Sequence, residues 1–197
     1  MLTICTLISY SQSSTANMTG EFYLQGVMET ASGFKLNADS TFEFFFSYGA
    51  LDRFGKGTYT IKGHTLVLNS GPRPAKDFKL KTSKRMAGLP GVLVKMVDAN
   101  PQVVQFVEVN SNRMNSHGEA QIKAKSLDSI SLFFQLCPDR ASVFPITDKT
   151  HNYFEFAFEP WIMDVFFENA VFKIEDDKKI TGKHPLLTGQ QYVFVKD

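Results

Sequence analysis

FKLNADSTFEFFFSYGALDRFGKGTYTIKGHTLVL, residues 34–68, carries the reading of the fold. Phe42, Phe44, Phe46 and Tyr48 share one parity while Glu43 and Ser47 take the other, and only Phe45 breaks the alternation. That is the period of two of a strand with one apolar face. Asn37-Ala38-Asp39-Ser40 is a turn signal, and pairing Leu36 with Phe42 sets Phe34 opposite Phe44, so one register satisfies both strands. The next hairpin passes the same test. A two-residue Gly63-His64 loop, with Gly first as a type II′ turn prefers, pairs Ile61 with Leu66 and Tyr59 with Leu68. With an earlier strand near Glu21 to Val27, the stretch predicts an antiparallel meander that curls into a small barrel or half-barrel.

The whole chain has 197 residues, enough for one large or two small domains, and two is the expectation. Hydrophobic residues make up 43% and aromatic residues 13%, and the formal net charge is +1. No overall field therefore recruits nucleic acid or an anionic membrane. No stretch approaches the roughly 18 continuous apolar residues of a membrane-spanning helix, so no transmembrane segment is expected.

Residues 1–17 read as a signal-peptide remnant or a disordered N-terminus. Met1 to Ser13 is a short apolar run ending in small polar residues, and Ser9-Tyr10-Ser11 resembles a cleavage site, which predicts an exported, periplasmic or cell-envelope protein. Cys5 follows Ile4 where a lipid-anchored leader wants a small residue. Cys137, between Leu136 and Pro138, is expected to be a small buried hydrophobe outside any disulfide framework.

Leu36-Asn37-Ala38-Asp39-Ser40-Thr41-Phe42-Glu43-Phe44, followed by Gly55-Lys56-Gly57-Thr58-Tyr59 and the Gly63-His64 turn, resembles the hairpin unit of lipocalin-like domains of exported bacterial proteins. It departs from that pattern at Ser40, where Gly is usual, and at Tyr59, where Trp is usual. The resemblance covers about residues 20–82 and implies a small lipocalin-like barrel at 18–86. Farther on, Gly91-Val92-Leu93-Val94-Lys95-Met96-Val97-Asp98 and Ser116-His117-Gly118-Glu119-Ala120 are similar to the carboxypeptidase regulatory or transthyretin-like β-sandwich. Pro101 and Gln102 stand there in place of a Gly, and Asn115 and His117 in place of acids. That second resemblance implies a non-catalytic interaction or spacer module at 87–197.

Gly71-Pro72-Arg73-Pro74 and Gly88-Leu89-Pro90 bracket a basic stretch that reads as a linker with a solvated edge. Strands are expected at Val92 to Val97, Val103 to Val109, Ala120 to Ala124, Ile130 to Phe134 and Phe154 to Phe158, with closing strands at Val171 to Ile174 and Gln191 to Val195. Trp161 to Phe167 is ambiguous between strand and short helix. The fold class is thus all-β, a barrel or half-barrel followed by a sandwich-like domain.

Chemistry-bearing motifs are sparse. His64, His117, His151 and His184 have no neighbour at metal-ligand spacing, so no metal or cofactor is expected. Glu155 and Glu159 share a strand face, but four residues along a strand is about 13 Å, beyond the separation of a glycosidase pair. No G-x-S-x-G and no Gly-rich phosphate loop occur. What remains is the long connection Ser47 to Gly55 at the mouth of the aromatic sheet. Phe44, Phe46, Tyr48, Asp52, Arg53 and Tyr59 are the candidate ligand-binding residues, with Arg53 on the rim. The expectation is a non-catalytic protein that binds a small apolar ligand or an envelope protein partner. The alternatives are a structural or adhesion-type protein and, more distantly, a hydrolase with an interdomain site.

Overall fold

The computed structural model describes residues 18–97, 99–189 and 191–197; the leader reading at Met1 to Ser13 lies outside them. Five strands come first: β1 (Gly20–Leu24), β2 (Thr30–Leu36), β3 (Thr41–Tyr48), β4 (Leu51–Lys62) and β5 (Thr65–Asn69). Both expected hairpins form. Asn37 N donates to Thr41 O (2.9 Å), which puts Leu36 and Phe42 at the next pair, and Ser40, standing at the usual Gly position, adopts φ +65°. Ile61 pairs with Leu66 and Tyr59 with Leu68 across a turn whose Gly63 has φ +58°.

Three strands from the end of the chain complete this sheet: β14 (Ala170–Ile174), β15 (Lys179–Gly182) and β16 (Tyr192–Lys196). They follow β5 in the sheet, and β16 then pairs with β1, so eight antiparallel strands close a barrel. Each barrel strand lies beside the next one along the chain, which makes this an up-and-down meander interrupted once, between β5 and β14. Closure removes the sheet edges. An eight-stranded barrel is just wide enough for side chains to fill, and phenylalanines fill this one. Phe22, Phe34, Phe42, Phe44, Phe167, Phe172 and Phe194 are all at most 2% exposed. Phe34 sits at the centre, its ring 5.0 Å from those of Phe44 and Phe194 and 5.1 Å from that of Phe172. Phe45, the residue that breaks the alternation, turns the other way and meets Tyr23 edge-on at 6.0 Å.

The interruption is itself a folded unit, made of Gly71–Phe166 together with Ser47–Phe54. It holds β6 (Phe78–Lys84), β7 (Val92–Met96), a one-turn helix α1 (Pro101–Val104), β8 (Val107–Val109), β9 (Asn112–Arg113), β10 (Glu119–Ile122), β11 (Ser129–Phe134), β12 (Ala141–Pro145) and β13 (Tyr153–Phe158). Two four-stranded sheets result, in the orders β10-β7-β13-β6 and β12-β11-β8-β9. They share one core, to which Val92, Val94 and Phe156 come from the first sheet and Val107, Ile130 and Leu132 from the second.

The chain is therefore all-β, but its two units are not consecutive. The expected boundary between 18–86 and 87–197 gives way to an insertion, because the strands at 170–196 pair with β1 and β5 and not with the sandwich. The expected linker contains β6, in which Phe78 is the one buried side chain and Lys79, Lys81 and Lys84 are exposed, so no apolar period marks it as a strand. Val103 to Val109 is not one strand: Asn100 accepts Gln102 N at 2.9 Å and Pro101 opens α1, so the strand starts only at Val107. Trp161 to Phe167 resolves into a turn, with Ile162 N donating to Glu159 O and Asp164 N to Trp161 O.

Candidate functional site in the inserted unit

The six residues expected to line a barrel mouth divide between the two units. Phe44 and Phe46 are buried in the barrel (2% and 6% exposed), and the half-buried Tyr59 donates its hydroxyl to Asn37 O at 2.8 Å. Tyr48 and Asp52 are exposed and belong, with Arg53, to the inserted unit. Arg53 is not a rim residue. It is 2% exposed; its guanidinium grips both oxygens of Asp139 (2.8 and 3.3 Å) and donates to Met163 O and Asp164 O. Arg73 bridges Asp139 to Asp77, and Arg140 closes on Asp77 from the other side. Burial pushes the Asp139 carboxyl up, but the hydrogen bonds and charges of Arg53 and Arg73 outweigh it and hold it below its usual value. Five interlocked charges of this kind specify geometry; Arg73 and Asp77 are four residues apart, but the contacts that join them to Arg53, Asp139 and Arg140 span 63–86 residues and leave no local pattern.

Among the described residues two serine–histidine pairs occur, and the ring nitrogens separate their roles. In the barrel, His184 Nδ1 accepts Leu186 N (3.0 Å) and Leu187 N (3.1 Å), which forces the proton onto Nε2. Nε2 then donates to Ser32 Oγ at 3.0 Å, while that hydroxyl donates to Phe45 O at 2.8 Å. A histidine in this tautomer cannot take a proton from its serine. Burial lowers the His184 pKa to about 4, and Phe44, Phe46 and Phe194 surround the ring. The pair is a satisfied piece of core.

The second pair lies in the inserted unit and has the opposite polarity. Ser83, near the end of β6, and His151, just before β13, are brought together because β6 and β13 run antiparallel with Ser83 opposite Phe154. Ser83 Oγ is 2.6 Å from His151 Nδ1, and His151 Nε2 is 3.3 Å from Asp148 Oδ2. The other carboxylate oxygen of Asp148 accepts the hydroxyl (2.7 Å) and the backbone N–H (2.9 Å) of Thr150. Those bonds, and then the nearby His151, hold the Asp148 carboxyl below its usual value, so it stays ionised. The Asp148 charge at ion-pair distance from Nε2 favours the proton on that nitrogen, the tautomer in which the Nδ1 lone pair faces the Ser83 hydroxyl.

This trio borders a cleft of about 280 Å³ between the outer strands β6 and β12 of the two sheets. Leu80, Ile130, Phe144, Ile146, Phe154 and Phe156 form its apolar wall. Sequence reasoning passed over the trio because Ser83 lies 68 residues from His151 in a stretch read as linker. The one local signal, the turn Asp148-Lys149-Thr150-His151, is common on surfaces.

A larger hollow of about 770 Å³ lies by Lys95, Met96, Ser116, His117 and Glu119, but its charges are already joined in the Lys95–Glu119 pair at 3.1 Å. Burial pushes the Cys137 thiol up to about 11, far from a reactive thiolate, and its Sγ lies 3.5 Å from Met163 Sδ. Among the described residues no three His, Cys, Asp or Glu side chains converge as a metal site, and no helix is long and apolar enough to cross a membrane. Comparison with family models, curated proteins and solved structures finds no match to this chain. The two resemblances seen in the sequence thus have no match behind them, and the case for a site rests on geometry.

Proposed function

We propose that the protein binds a small apolar or amphipathic molecule in the cleft between β6 and β12 of the inserted unit. The observation that carries this reading is a concave apolar wall with a few convergent polar groups at one end, the common build of small-molecule sites. The cleft, at about 280 Å³, suits a single ring or a short acyl chain. Ser83 and His151 supply the polar end. The barrel is disfavoured as the container because buried phenylalanines, Phe34 at their centre, occupy its interior. Export, read from Met1 to Ser13, belongs to the same proposal and is independent of the cleft.

The test uses 4-phenyl-1-butanol, an aryl alcohol of matching size, titrated against the full chain by calorimetry. A dissociation constant near 0.1 mM is expected, about −5.5 kcal/mol. Leu80, which lines the cleft and is 40% exposed, offers the check. Leu80→Trp should fill the cleft and weaken binding at least about tenfold with the melting temperature kept. Binding that ignores Leu80→Trp, or no binding at all, removes the cleft as the site.

A further inference from the structure

We infer that Ser83 is the nucleophile of an acyl-transfer site, with His151 as its general base and Asp148 as the group that orients His151. The inference rests on the cleft being a ligand site and assigns the ligand class: esters with a small apolar acyl group.

The argument is geometric. A serine hydroxyl needs a neighbouring lone pair to take its proton, and the base needs a third group to fix its tautomer. The distance of 2.6 Å from Ser83 Oγ to His151 Nδ1 lies within hydrogen-bond reach, and Asp148 sits on the far nitrogen at 3.3 Å. Thr150 pins Asp148 through its other oxygen. The ring is used in the reverse sense, Nδ1 toward serine and Nε2 toward the carboxylate, which is chemically equivalent provided the tautomer is fixed. His184 provides the internal contrast, because its contacts lock the other tautomer and leave Ser32 with no base.

The apolar wall of Leu80, Ile146 and Phe156 takes the acyl chain. Ser83 Oγ attacks the ester carbonyl carbon and its proton passes to His151 Nδ1. Collapse of the tetrahedral adduct breaks the carbon–oxygen bond to the alcohol, which leaves with that proton. Water, deprotonated by the same nitrogen, then attacks the acyl-serine, releasing the carboxylic acid and restoring the Ser83 hydroxyl.

The test treats the full chain with an alkyl fluorophosphonate, locates the adduct by peptide mass spectrometry, and follows hydrolysis of 4-nitrophenyl butyrate. A stoichiometric adduct on Ser83 is expected. Ser83→Ala should abolish labelling, and His151→Ala should slow labelling and hydrolysis about 10³-fold or more, in the range seen when a member of such a trio is removed. Asp148→Asn should slow both less than His151→Ala while circular dichroism melts stay unchanged. The inference is overturned by a folded protein that takes no label, by label on another residue, or by hydrolysis that Ser83→Ala leaves intact. Retained 4-phenyl-1-butanol binding without labelling overturns the acyl-transfer role alone; loss of both removes the cleft as well.

Discussion

His184 shows how one residue can be a liability the barrel manages. It is 1% exposed, and burial takes its pKa from the usual 6.5 to about 4. The unfolded chain therefore binds a proton at this position, in the interval between those values, that the folded barrel refuses. Stability from this group is complete above about pH 6.5 and is lost as the pH falls toward 4, by about 3 kcal/mol over the whole interval. The carboxylates held low in the fold, such as Asp139 and Asp148, lose their contribution only at lower pH. His184→Phe keeps an aromatic ring among Phe44, Phe46 and Phe194 but leaves Leu186 N and Leu187 N without their acceptor. We expect the variant to be less stable than the parent at pH 7.5, with the gap narrowing by about 2 kcal/mol by pH 4.5. Urea melts across that range measure it, and a gap that stays constant with pH means the ring is not held neutral.

At the scale of elements, period-two alternation reached the strands whose apolar face is continuous and stopped where it is not. β3 and β5 were readable because Phe42, Phe44, Phe46, Leu66 and Leu68 all point inward. β6 was not: beyond Phe78 its side chains are exposed or half-buried, so it lacks a second buried residue to set a period. The twelve-residue β4 poses a different problem, since it must run closely past β5. A Cβ at Gly57 would stand 2.2 Å from Asn69 O and 2.8 Å from Ser70 Cα, both backbone atoms of the neighbouring segment. The constraint is space, not φ. Gly57→Ala must push β4 and β5 apart next to the Thr58–Asn69 pair and should cost about 2 kcal/mol, as overpacking does. Lys56→Ala, one residue away and exposed, should stay within about 0.5 kcal/mol. Equal denaturation midpoints for the two variants would show that the strands can separate freely.

For the whole molecule, the decisive pairings are the ones a sequence cannot announce. Hairpins at 34–44 and 59–68 are local and follow from composition, whereas β1 with β16 and β5 with β14 join segments about 100 to 170 residues apart. The Ser83–His151 contact belongs to the same class, which is why neither the closure of the barrel nor the cleft trio could be read from residues alone. The architecture predicts which pieces fold. Residues 18–86 contain β1 to β5 but lack β14 to β16, so that fragment holds an open sheet with Phe34 deprived of Phe172 and Phe194. The longer segment of the inserted unit, 71–166, in contrast leaves and returns at one point, and its removal keeps Ser47–Phe54 in the chain. Ser70 N donates to Phe167 O at 2.8 Å, and Phe167 N donates to Ser70 Oγ at 3.2 Å. Joining Ser70 to Phe167 through a short Gly-Ser turn therefore asks little of the backbone, and insertions tolerated at such sites are the ones whose ends lie close together. We expect the chain lacking residues 71–166 to give a β-type circular dichroism spectrum and a cooperative melt, while the 18–86 fragment gives neither. A cooperative melt from 18–86 together with an unfolded excision variant would mean that the first five strands hold a core of their own and that the last three are added to it, not required by it.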